Sequence, residues 1–136
     1  MAEKVVRTAK FTPGVFAICD WLIYGYCDNA ASDQSKHDRE SRTIWYNPRY
    51  RGGRMFRTVL HEATHAEWPR MSERVVKRIE MTAFRSVWSA RQKGEDLRRP
   101  LEKALKQACP WMSVDARKAG ARNIARLLCR LNYAKR

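Results

Sequence analysis

The chain reads as an α+β fold: a small antiparallel sheet of two or three strands packed on an antiparallel helix pair, with additional basic helices at the C-terminal end. Three observations carry that expectation. Val15 to Tyr26 and Thr43 to Asn47 are runs rich in β-branched and aromatic residues, bounded by turn formers. Four later stretches repeat apolar residues at helical spacing. The 136 residues, 44% hydrophobic with five tryptophans, are enough for one domain with its own core.

Met1 to Thr12 is polar and basic, a short strand or a loose arm. Pro13-Gly14 and Asp28-Asn29 bound the first strand, and Pro48 closes the second. Between them, Asp28 to Arg42 is almost entirely polar and reads as an exposed loop or flap. The first helix runs from about Met55 to Trp68. Gly52-Gly53 breaks the chain before it, Pro69 stops it, and Met55, Phe56, Val59, Leu60, Ala63 and Ala66 form its apolar stripe.

Ser72 caps a second helix reaching about Arg91, on which Glu73, Val76, Glu80, Ala83 and Val87 share one face. The short turn at Trp68 to Met71 sends this helix back antiparallel to the first. Gly94 and Pro100 then punctuate the chain, and Leu101 to Ala108 and Asp115 to Leu131 give two more helices. The whole reads as one domain over 1–136, a core of 1–93 with a basic helical extension, 94–136, packed on it.

The chemistry concentrates in His61-Glu62-Ala63-Thr64-His65. On a helix, a spacing of four stacks both imidazoles on one face, where each can give a nitrogen to one cation. They lie opposite the apolar stripe. Glu62 projects about 100° round the helix from His61, beside such a cation, where a carboxylate takes a proton from bound water. Catalytic zinc usually has three protein ligands and an open position, so a third donor is needed. His37 is the only other histidine and lies in the polar loop. Glu67, two residues past His65, falls on the wrong side of the helix and should face solvent. Glu73 and Glu80 remain. Glu73 sits in a first helical turn, where a carboxylate also suits the helix dipole. Glu80 interrupts an apolar face and needs a partner, either a cation or a basic neighbour such as Arg57 or Arg54.

The formal charge is +14, and residues 96–136 hold +8 of it, eleven Lys/Arg against three Asp/Glu. Arg117, Lys118, Arg122, Arg126 and Arg130 on the last helix are candidates for binding nucleic-acid phosphates, with Arg98, Arg99, Lys103, Lys106, Lys135 and Arg136 nearby in sequence. No apolar run approaches the roughly 20 residues of a membrane span, and no secretory pattern opens the chain, so a cytoplasmic protein without a membrane partner is expected. Cys19, Cys27, Cys109 and Cys129 lack paired short spacing and read as buried thiols.

Thr58-Val59-Leu60-His61-Glu62-Ala63-Thr64-His65-Ala66, preceded by Thr43-Ile44-Trp45-Tyr46 and followed by Ser72-Glu73-Arg74-Val75-Val76-Lys77-Arg78-Ile79, resembles the short gluzincin-type metallopeptidases of phages and prophages, related in layout to the ImmA/IrrE and SprT-like groups. The resemblance covers roughly Val15 to Trp88. It implies a zincin-type helix pair, one Zn2+ per chain, and Glu73 rather than Glu80 as third ligand, because Glu73, Val76 and Ile79 match the family's spacing on its second helix. It also implies hydrolysis of a protein or peptide by Glu62-assisted attack of metal-bound water, and the SprT-like layout adds work at or near DNA. Tyr46 and Tyr50, with Tyr24 and Tyr26, are candidate oxyanion donors, and the strand at Thr43 to Asn47 is a candidate edge for an extended peptide. The alternative is a nucleic-acid-binding phage or bacterial protein whose metal site is structural. Oligomeric state has no signature in the sequence.

Overall fold

The computed structural model describes residues 2–7, 22–27, 36–38, 43–47 and 49–131, with side chains for Ile23 and from Thr43 onward within that set. Four helices dominate: α1 (Gly52–Glu67), α2 (Glu73–Lys93), α3 (Arg98–Ala108) and α4 (Val114–Cys129). All four coincide with the predicted helical stretches, within one to three residues at each end. Gly52-Gly53 forms the first turn of α1 and does not precede it. Gly52 enters at φ 53°, a left-handed value that suits glycine.

Local chemistry sets the helix limits. Asn47 Oδ1 accepts from the Arg49 amide at 2.9 Å and the Asn47 carbonyl accepts from the Tyr50 amide at 2.9 Å, a tight turn that delivers the chain into α1. The Met71 amide donates to the Trp68 carbonyl at 3.0 Å, and Ser72 Oγ then accepts from the Val75 amide, so five residues reverse the chain between α1 and α2. Gly94, at φ 73°, ends α2, its N–H donating to the Ala90 and Arg91 carbonyls. Ser113 caps α4 through the Ala116 amide.

The strands β1 (Ala2–Arg7), β2 (Leu22–Cys27), β3 (Lys36–Asp38) and β4 (Thr43–Tyr46) pair in the order β1-β2-β4-β3. This differs from the expected antiparallel pair or triplet. The β1/β2 and β3/β4 ladders are antiparallel, but β2 and β4 run parallel. Within the expected polar loop, Lys36–Asp38 forms β3, and the other residues of that loop lie outside the described set, as do 15–21 of the predicted first strand. β3 occupies the far side of β4, opposite β2. β4 is therefore an inner strand, and the idea that it offers an unpaired edge to a peptide is corrected: its backbone groups are satisfied on both sides.

The core is continuous from the sheet to the last helix. Ile23 and Ile44 pack with Phe56, Val59 and Leu60 of α1, Ile79, Ala83 and Val87 of α2, Leu101 and Leu105 of α3, and Ile124 and Leu128 of α4. Phe56 also meets the Trp88 ring at 5.0 Å between centroids, joining the start of α1 to the far half of α2. At the other end of α1, Trp68 lies against Gly120, where a Cβ would stand 2.3 Å from the indole. Only glycine permits that approach. Glu67, expected to face solvent, is half-buried and accepts from Asn123 Nδ2 of α4 at 3.2 Å. Among the described residues, those of 97–131 thus share one buried cluster with Ile23, Ile44 and the residues of α1 and α2. No described helix is long and apolar enough to cross a membrane. Cys109 is a buried thiol as expected, whereas Cys129 is exposed.

Candidate metal centre

The apolar stripe of α1 turns inward completely: Met55, Phe56, Val59, Leu60, Ala63 and Ala66 are all buried. Helical periodicity then leaves His61 and His65 on the opposite side, partly exposed, with ring centroids 4.9 Å apart. The reversal at Trp68–Ser72 lays α2 against this side. Ile79, Ala83 and Val87 share one buried cluster with the stripe of α1, and the acidic residues Glu73 and Glu80 of α2 meet the imidazoles.

Among the described residues, His61, His65 and Glu73 form one group of metal-type donors whose nitrogen and oxygen atoms all lie within 4.8 Å of one another. Glu73 Oε1 stands 2.6 Å from His65 Nε2, and Glu73 Oε2 stands 3.1 Å from His61 Nε2. Glu80 takes the other side of His61, its Oε1 2.7 Å from Nδ1. Its second oxygen accepts from Arg57 Nε. The sequence left Glu73 and Glu80 open as ligands, and the two helices separate them. Glu73 reaches both imidazoles, whereas Glu80, buried, is held between His61 and Arg57.

Protonation follows from these contacts. Burial works to raise the Glu80 carboxyl, but the hydrogen bonds from His61 and Arg57 outweigh it and hold the group below the usual carboxylate range. An ionised Glu80 can only accept, so His61 Nδ1 is the donor, and in the neutral ring Nε2 then carries a lone pair. That lone pair faces the carboxylate of Glu73, which is likewise held below its ordinary value: burial opposes ionisation, and the hydrogen bond with His65 prevails. A lone pair set against a carboxylate favours a cation between them. The His61 imidazole is accordingly raised above its ordinary pKa, chiefly by the hydrogen bond to Glu80.

The donor set suits zinc. Two imidazole nitrogens and one carboxylate are a common catalytic triad of ligands, and tetrahedral donors at about 2.0–2.1 Å from zinc stand roughly 3.3–3.5 Å from one another. The 3.1 Å separation at His61 is near that value, and the 2.6 Å contact at His65 has to open by under about an ångström.

Glu62 is buried and lines the same cleft as His61, Glu73 and Glu80, which encloses about 300 Å3. Its charge contributes to the upward displacement of His61. Of the tyrosines proposed as oxyanion donors, Tyr50 lines the cleft. Tyr46 is a core residue, 7% exposed, with its phenol raised by burial, and it is absent from the cleft wall. The side chains of Tyr24, Tyr26 and His37 lie outside the described set, and His37 is placed only by its backbone, in β3 opposite Ile44.

Three cations, Arg54, Arg57 and Lys77, also line the cleft; the sequence offers Arg57 and Arg54 as partners of Glu80 but does not mark the three as part of the site. The signal available was their spacing: Arg54, Thr58 and His61 follow one face of α1, as Glu73, Lys77 and Glu80 follow one face of α2.

The basic candidates of α4 divide. Arg122, Arg126 and Arg130 line a single cleft of about 550 Å3 together with Arg98 from the start of α3. Arg117 instead donates from Nη1 to the Met112 carbonyl at 2.8 Å, and Lys118 is exposed outside that cleft. Lys135 and Arg136 lie outside the described residues.

Compared with known protein families, curated proteins and solved structures, the chain finds no match.

Proposed function

We propose that the chain is a zinc-dependent metallopeptidase with one Zn2+ held by His61, His65 and Glu73 and with Glu62 as its general base. The observation that carries this reading is the convergence of His61 Nε2, His65 Nε2 and both oxygens of Glu73, with His61 Nδ1 fixed by Glu80. A ligating histidine whose second nitrogen is held by a carboxylate is the usual way a protein fixes tautomer and ring orientation at a metal.

Zinc in this place supplies a Lewis acid that polarises a carbonyl and acidifies a water molecule. The remaining work belongs to side chains. Glu62, buried beside the ligands, accepts the proton of the attacking water and returns it to the leaving amine. Tyr50, which lines the cleft, is the tyrosine this reading assigns as donor to the developing oxyanion. Glu80 and Arg57 keep His61 oriented throughout. Glu73, the ligand at the start of α2, is exposed, and it is on this side that the substrate is assigned its approach.

The test is elemental analysis of protein purified without added metal, paired with hydrolysis of a mixed quenched-peptide library. One equivalent of zinc, lost in His61→Ala, and cleavage abolished in Glu62→Gln at unchanged zinc content support the reading. A folded protein that refuses zinc when supplied with it ends it.

A second reading is favoured by the four arginines of the α3/α4 cleft. Arg98 there is paired with Asp96 and Arg130 is half-buried, so Arg122 and Arg126, both exposed, are the cations this reading assigns to nucleic-acid phosphates, either adding DNA to the setting in which the peptidase works or, should hydrolysis fail, leaving a nucleic-acid-binding protein with a structural metal.

A further inference from the structure

The cleft at His61 carries three cations, and their partners differ. Arg57 is engaged twice, donating from Nε to Glu80 and lying over the Phe84 ring at 5.3 Å. Lys77 stands four residues after Glu73 on α2, the spacing at which lysine and glutamate ordinarily pair on a helix. That pairing is missing among the described ion pairs, because both Glu73 oxygens are turned to His65 and His61. Arg54, from α1, is exposed, with its guanidinium carbon 4.0 Å from the centre of the Tyr50 ring, and no described carboxylate meets it. Among the described residues, one cation from each helix therefore lines the cleft without an acidic partner.

Among the described residues that line the cleft, three carboxylates, Glu62, Glu73 and Glu80, stand against three cations, Arg54, Arg57 and Lys77. A divalent ion at His61, His65 and Glu73 adds two positive charges in a concave space where low-dielectric walls focus the field. Such a space attracts an anion. The Arg54 guanidinium, seated over Tyr50, is a planar two-pronged donor that matches a carboxylate, and Lys77 presents a compact charge beside it.

We propose that Arg54 and Lys77 are specificity residues that select peptides bearing a carboxylate next to the bond to be cleaved. This rests on the metallopeptidase reading and names its substrate class. The carboxylate can come from an Asp or Glu side chain or from a free C-terminus, and both satisfy the same two donors.

The experiment measures fluorescence anisotropy of three labelled hexapeptides on the full chain, zinc-loaded and carrying Glu62→Gln to stop turnover, at about 50 mM salt where surface charge is only partly screened. One peptide has an internal Asp and an amidated end, one is neutral with a free C-terminus, and one is neutral and amidated. At least one carboxylate peptide should bind about tenfold tighter than the neutral amide, the scale of one well-placed charge-assisted contact. Which of the two does so distinguishes side chain from terminus. Arg54→Gln/Lys77→Gln should erase that preference at unchanged zinc content. Arg99→Gln/Lys106→Gln, which removes the same charges from the exposed face of α3, should preserve it.

Equal binding of all three peptides, or equal loss in both double variants, overturns the proposal. If carboxylate selection is found and depends on Arg54 and Lys77, but no peptide is cleaved by the unsubstituted chain, the peptidase reading fails and the carboxylate site stands.

Discussion

His61 Nδ1 donates to Glu80 Oε1 at 2.7 Å, and this single bond turns Nε2 of the same ring toward Glu73. On the proposed metal reading Glu80 positions His61 and Glu73 is the ligand, although both lie on one face of α2. Glu73→Gln should cost zinc affinity far more than Glu80→Gln. The latter keeps a hydrogen-bonding group at Nδ1 but loses its charge, and substitutions at such orienting partners lower metal affinity about 10- to 100-fold. Competition with a chromophoric chelator measures both. The opposite ranking would make Glu80 the ligand.

Zinc-free protein should respond to pH in a definite direction. The His61 imidazole is raised above its ordinary value, mainly by Glu80. A raised folded-state pKa contributes stability that is fully present below the unfolded value, about 6.5, and is lost as pH rises through the folded value. Glu73 and Glu80, held below their ordinary values, stay ionised over that range and lose their contribution only on acidification. Chelator-treated protein should therefore have a higher urea midpoint near pH 6 than above pH 8. Zinc retention should run the other way, since protons and metal compete for Nε2. A midpoint that rises with pH in the chelated protein would remove the proposed His61–Glu80 linkage.

Much of this architecture is legible in the sequence because it is local. The limits of α1 and α2 are set by Pro69, by the Ser72 cap and by apolar spacing, and the placement of His61 and His65 opposite the stripe follows from the helical period alone. What is not legible depends on register between elements. Glu73 and Glu80 differ by two helical turns on one face, and only the way α2 lies on α1 decides which reaches both imidazoles. β3 is hidden because Lys36-His37-Asp38 has no apolar alternation and joins β4 through its backbone. Tyr46 and Tyr50 look equivalent as aromatic residues flanking Pro48, yet the strand buries one and the following turn places the other in the cleft. Glu67 has the period of a solvent-facing residue, and the approach of α4 gives it Asn123.

That approach is itself testable. Gly120 lets α4 close on Trp68, which caps α1 three residues beyond His65. Gly120→Ala should destabilise the protein by about 1–3 kcal/mol through overpacking, less up to about 1 kcal/mol regained from helix propensity. The two terms are close enough that the measured sign is informative, and the collision at 2.3 Å favours net loss. Urea denaturation of the variant checks it. A second variant, Trp68→Leu/Gly120→Ala, should be less destabilised than the sum of its two single substitutions, because the collision is then absent. Strict additivity would mean that the contact is not what glycine serves.

The basic end of the chain calls for substitution, not truncation. Leu101, Leu105, Ile124 and Leu128 belong to the same buried cluster as Phe56 and Leu60, so removing everything after Gln92 would strip one wall from the motif helix and confound loss of binding with loss of fold. Arg122 and Arg126 are exposed and line the α3/α4 cleft. If that cleft takes nucleic-acid phosphates, the chain should bind single- or double-stranded DNA with little regard to sequence, and the affinity should fall steeply between about 50 and 200 mM salt. Arg122→Gln/Arg126→Gln should weaken binding at every sequence and lower the slope of log affinity against log salt by about 2, one for each lost phosphate contact. Arg117→Gln should change the slope little, because its guanidinium is already committed to the Met112 carbonyl. Equal effects of all three arginines would describe a diffuse field in place of a cleft. No detectable binding at low salt would leave the arginines of α4 to an acidic protein partner, with the metal centre unaffected.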